Sequence, residues 1–149
     1  MQELILQALG RNALDEALTL ARQWIEQEPD APLAATLLAT VLRRLDKADE
    51  ALAVIDQALQ RSPDEAALHL QRATVLLSQR QIEQANQALA QSTTLDPNSF
   101  DSYVLQANLA LVRGDLDEAE RISRLAALLD AEHPQLAAID GMVALHRND

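Results

Sequence analysis

The chain has 149 residues, enough for one domain with its own core, and 48% of them are hydrophobic, which excludes a disordered segment. Aromatics at 2% and three glycines are too few for a sheet-rich fold, and the lack of cysteine excludes disulfides, thiolate catalysis and zinc–thiolate sites. A formal charge of −11, from 23 acidic and 12 basic residues, repels nucleic-acid phosphates and anionic bilayers, so neither is an expected partner.

The opening "MQELILQALGRN" carries an acid where a secretion signal would carry basic charge, and its apolar residues come in helical steps. No apolar run reaches the length of about 18 residues that a membrane span needs, so a soluble, cytoplasmic chain is expected. Apolar spacing predicts helices over 2–9 and 13–28, then 32–44 and 48–61, with a polar break at Asp46-Lys47. A third pair is predicted over 66–79 and 82–95. The fourth, over 100–113 and 116–129, is divided at Gly114-Asp115, and a single helix over 134–147 follows.

These elements repeat with a period of 34. Ala17, Ala51, Ala85 and Ala119 hold one phase, Ala39, Ala73, Ala107 and Gly141 a second, and Pro29, Pro63 and Pro97 a third. Pro32 and Pro134 share a neighbouring phase, so all five prolines fall on two positions of the cycle. Small residues let paired backbones approach, and proline ends one pair and presets entry to the next. Acids after the turns, at Asp15-Glu16, Asp49-Glu50, Glu83 and Asp117-Glu118, suit the positive ends of the second helices' dipoles.

In "DKADEALAVIDQALQRSPD" and "RGDLDEAERISRLAALLD" this pattern resembles the tetratricopeptide repeat family, and the likeness covers essentially the whole chain. The resemblance implies an all-α, right-handed solenoid of antiparallel helix pairs, about nine helices in one domain over 1–149. Its units would be a partial one at 1–31, complete ones at 32–65, 66–99 and 100–133, and a lone helix at 134–149. Tyr103 stands where the family favours a large aromatic. Arg72 and Gln106 replace a usual leucine, Trp24 a usual small residue and Ala131 the closing proline.

Catalytic equipment is sparse. His69, His133 and His146 fall at different positions of different units, and their spacing matches no metal or nucleophile pair. Asp130, Glu132 and His133 stand close in sequence, but neighbours in a loop rarely converge on a metal. Neither a catalytic residue, a metal nor another cofactor is expected. Trp24 reads as packing or end-capping, with a contact surface as the alternative. Arg43 and Arg44 read as a solvated helix end, or as a holder of an acidic peptide or carboxylate.

What the family likeness implies for binding is a concave groove lined by the first helices. Its positions fall on Thr36, Thr40, Arg43 and Arg44 in the first full unit, and on Leu70, Thr74 and Leu77 in the second. Val104, Asn108 and Leu111 follow in the third, with Leu33, Ser78 and Val112 beside them. Of the family's lysine and asparagine clamp for a chaperone tail only Asn108 has a counterpart, so such a tail is not the expected ligand.

The expected role is a non-catalytic scaffold that binds a peptide or helix segment of another protein. The alternatives are the N-terminal repeat region of a larger glycosyl- or sulfotransferase, or a small secretion chaperone. The last helix has apolar residues at Leu136, Ile139, Met142, Val143 and Leu145, too wide a spread for a polar terminal cap. It is expected to continue into a longer protein or to form a homodimer with a second copy.

Overall fold

A computed structural model describes residues 1–148. Nine helices fill it: α1 (Gln2–Gly10), α2 (Leu14–Gln27), α3 (Pro32–Arg44), α4 (Ala48–Arg61), α5 (Ala66–Ser78), α6 (Ile82–Leu95), α7 (Phe100–Val112), α8 (Leu116–Ala127) and α9 (Pro134–Arg147). No strand occurs among the described residues. The predicted bounds hold to within two residues, because heptad-like apolar spacing and proline punctuation are both local signals.

Each hairpin closes on the same backbone device. Asn12, Asp46, Arg80 and Gly114 lie 34 residues apart and take positive φ of 57°, 61°, 60° and 76°. The following amide bonds back to the carbonyl five residues earlier, as Lys47 does to Leu42 at 2.8 Å and Asp115 to Ala110 at 2.9 Å. This is a Schellman cap, which satisfies the last carbonyls of the first helix while reversing the chain. Only one of the four is glycine. Arg80 has no short polar side chain to ease a left-handed conformation, so Arg80→Gly should raise stability by about 1 kcal/mol, read as a higher urea midpoint. An unchanged or lower midpoint would contradict that reading.

Both small-residue registers are core, except at exposed Gly141. Ala17, Ala51, Ala85 and Ala119 have no exposed surface, nor do Ala39, Ala73 and Ala107. Acids occupy the first turns of α2, α4, α6 and α8, as the charge pattern required. Trp24 is buried in the N-terminal core with Ile5, Ala8, Leu38 and Leu42, so of its two readings packing holds. Arg72, in place of a leucine, reaches across to Asp56 at 2.8 Å.

The loops between units share a further constraint. The carbonyl of each closing proline is taken by a different side chain: Arg61 donates to Pro29 at 2.6 Å, and Tyr103 to Pro97 at 2.8 Å. His69, one period before Tyr103, donates its Nε2 proton to Pro63 at 2.7 Å. Longer-range ties recur as well, with Gln79 bonded to Asp49 and Arg147 to Asp117, each 30 residues back.

Successive first helices touch: α1 meets α3, α3 meets α5, α5 meets α7 and α7 meets α9. The backbones of α2, α4, α6 and α8 stand farther apart among the described residues, with α2 reaching α4 through the exposed ion pair of Arg22 and Glu50 at 3.5 Å. A stack whose one layer is in contact and whose other layer is splayed must bend, with the contacting layer on the inside. The first helices therefore line the inner curve.

Candidate functional site

On the inner face the hydroxyls are turned back on their own helices. Thr36 donates to the Pro32 carbonyl at 2.9 Å, Thr40 to Thr36 at 2.9 Å and Thr74 to Leu70 at 3.0 Å. Thr40 also accepts from the Gln71 amide. Leu70, Leu77, Asn108 and Leu111 are half-buried, while Val104 is buried and offers little to a ligand.

The two arginines differ. Arg44 donates to the Leu9 carbonyl at 3.1 Å and to Asn12 Oδ1 at 3.0 Å, which ties α3 to the C-terminal end of α1. It is a structural cross-brace as much as a surface cation, which sequence spacing did not reveal. Arg43 forms no ion pair or hydrogen bond among the described residues, and its buried Nε has no partner. The terminal nitrogens of this guanidinium are therefore left to pair with an acceptor from outside the chain.

The five residues expected to mediate self-association divide. Leu136, Ile139 and Val143 are buried within the chain, Ile139 against Val104 and Ile122, and Val143 against Ala110 and Ala119. Met142 and Leu145 are 45% and 58% exposed, but at the inner-face positions one period after Asn108 and Leu111. They extend the groove, and a shallow cleft of about 240 Å³ between α7 and α9 is lined by Asn108, Leu111 and Met142. Five apolar residues on one helix could not be sorted by spacing alone, because spacing does not say which neighbours a helix has.

What remains bare on α9 is its outer flank. Gly141 has no atom within 4 Å of where a Cβ would stand, although Ala39, Ala73 and Ala107 in the same register are fully buried. Ala137 and Ala144 beside it are exposed. This flank borders a broad cleft against α8, crossed by Ser123 donating to Asp140 at 2.8 Å and by Arg147 pairing with Asp117 and Glu120.

The histidines all have structural employment. His69 holds the Pro63 carbonyl, and a His146 ring nitrogen contacts the Met142 carbonyl at 2.7 Å. His133 caps α9 by accepting from the Gln135 amide at 3.3 Å and packs on Phe100, with ring centroids 4.4 Å apart. Asp130 accepts from the Glu132 amide, and no group of three or more acids and histidines able to hold a metal occurs among the described residues. No helix among the described residues is long and apolar enough to cross a membrane.

Helical hairpins stacked with a common inner face define an all-α solenoid. Tetratricopeptide repeat models match residues 3–66 and 42–107, and the chain belongs to the tetratricopeptide repeat family. No curated protein matches its sequence significantly. Among solved structures it is similar to a thermophilic tetratricopeptide repeat protein of Thermus thermophilus, with 22% identity and a TM-score of 0.88 over 97% of this chain and 79% of that one. Similarity to PilF of Pseudomonas aeruginosa is 21% in identity with a TM-score of 0.82, over 99% of this chain and 68% of the other. The second such domain of human RPAP3, determined in complex with the HSP70 peptide SGPTIEEVD, is 17% identical with a TM-score of 0.66, over 76% of this chain and 98% of that domain. At these identities the likeness is one of fold.

Proposed function

We propose that the chain is a non-catalytic scaffold that holds a segment of another protein against the inner face formed by α3, α5, α7 and α9. The observation that carries this reading is the segregation of charge and apolar surface. Of the 23 acidic residues only Asp101, two periods after Leu33, occupies one of the inner-face positions named above or their counterparts in later units, α9 included. The same positions hold Leu33, Val112, Met142 and Leu145, four of the large apolar side chains that stay exposed among the described residues. Exposed aliphatic surface clustered on one concavity is the usual mark of a polypeptide-binding face. The RPAP3 domain, similar in fold, was determined with a peptide bound, which supports a binding role without identifying this chain's ligand.

A photoreactive benzophenone side chain placed at Val112 should crosslink the native partner, and one at Gln87 on α6 should not. Capture through Gln87 alone would remove the inner face from consideration.

A second reading follows from the bare flank of α9. Ala137, Gly141 and Ala144 leave a helix surface uncovered whose register is filled in the preceding units, and a second copy could cover it about a two-fold axis. Light scattering at high protein concentration should then show a dimer that Gly141→Arg converts to monomer. A clean monomer for the unaltered chain would dispose of the homodimer.

A further inference from the structure

This inference rests on the inner face being the binding surface and asks what shape of polypeptide it can take. Arg43, Leu77, Leu111 and Leu145 occupy one position in four successive first helices, each 34 residues from the last. They form a row along the groove, one cation followed by three leucines. Thr40, Thr74, Asn108 and Met142 run beside it.

Two physical constraints act on an occupant of that row. The first is hydrogen bonding. Thr36, Thr40 and Thr74 donate to carbonyls of their own helices, and Ser78 donates to Val75 at 2.6 Å. Those hydroxyls keep no proton for a bound carbonyl, and beyond Asn108, Arg43, Asp101 and Gln135 the face has few partners for the amides and carbonyls of a bound main chain. An extended segment would bury those groups unsatisfied, whereas an α-helix satisfies its own.

The second constraint is spacing. Packed helices lie about 8–10 Å apart, and two turns of an α-helix, seven residues, advance about 10.5 Å and return a side chain to the same face. A β-strand repeats its face every ~7 Å and falls further from that interval than the heptad does. A polyproline helix repeats about every 9 Å and meets it, but with no internal hydrogen bonds it fails the first constraint.

Charge fixes the end of the row. Arg43 forms no ion pair among the described residues, so its terminal nitrogens can take a carboxylate, which guanidinium binds through parallel N–H donors. With only Asp101 as an acid on the face, nothing else there repels an anionic side chain from Arg43.

We propose that the inner face receives an amphipathic α-helix with aliphatic side chains seven residues apart over Leu77, Leu111 and Leu145, and a carboxylate one heptad further on over Arg43. The partner is thus recognised as a helix with an acidic end, distinct from an extended tail.

The test uses the full chain and a synthetic peptide of about 25 residues, with three leucines at heptad spacing, a glutamate seven residues before the first, and alanine and glutamine elsewhere. Fluorescence anisotropy should show saturable binding, weakened at least about 10-fold by a central proline or by Glu→Lys in the peptide. Arg43→Glu should weaken the glutamate peptide and restore the lysine peptide, a rescue that also reports an intact fold. Equal binding of the proline peptide, no binding of the helical peptide, or indifference to Arg43→Glu would each overturn the proposal. If the helical peptide fails while Val112 still crosslinks the native partner, the helix inference falls alone. If both fail, the inner face itself is wrong.

Discussion

Ala73→Leu is expected to destabilise the fold by about 1–3 kcal/mol, while Gly141→Leu, in the same register of the last unit, should leave it unchanged or stabilise it. Ala73 has no exposed surface and packs with Leu76, Ala85 and Leu89, where α5 and α6 approach. Three added carbons have nowhere to go without prying that hairpin apart. At Gly141 the space is empty to 4 Å, and replacing a mid-helix glycine adds up to about 1 kcal/mol of helix propensity. Thermal unfolding followed by circular dichroism, at a concentration too low for self-association, separates the two cases. Equal effects at both sites would mean that the alanine phases are not close-approach points.

The largest effect on binding is expected from Leu77→Asp combined with Leu145→Asp. Two apolar anchors of one row would become charges facing the partner, and losing two contacts of hot-spot size corresponds to at least about a 100-fold weaker Kd. Neither residue is fully buried, so helicity should be kept. Leu128→Asp is the matched control, because Leu128 is 82% exposed just beyond α8 and off the inner face. Binding lost through Leu128 and retained in the double variant would relocate the site. Arg44 is unsuitable for this test, since altering it severs the ties to Leu9 and Asn12 and confounds binding with folding.

The helices were legible because their signals are local and redundant: a 3.6-residue apolar rhythm, alanines in phase and prolines at the seams. The hairpin turns were only half legible. Gly114 advertises a left-handed residue, but Asp46 and Arg80 adopt the same conformation with no such sign. The proline carbonyls were hidden for a related reason. Arg61, His69 and Tyr103 do one job from unlike side chains, and Arg61 does it from a different position in the unit. In the groove the positions of Leu77, Asn108 and Leu111 followed from the period, whereas the commitment of Arg44 to α1 and the freedom of Arg43 depend on contacts more than 30 residues apart, invisible to any local pattern.

The unequal contact within the two layers has a mechanical corollary. Drawing the ends of the molecule together pivots on the touching first helices and spreads second helices whose backbones already stand apart, straining little more than the exposed ion pair of Arg22 and Glu50. Forcing the ends away from each other must part the touching first helices, against the tethers from Gln79 to Asp49 and from Arg147 to Asp117. The protein should behave as a leaf spring, compliant when squeezed and stiff when opened, and so able to tighten around a slender guest more easily than stretch for a bulky one.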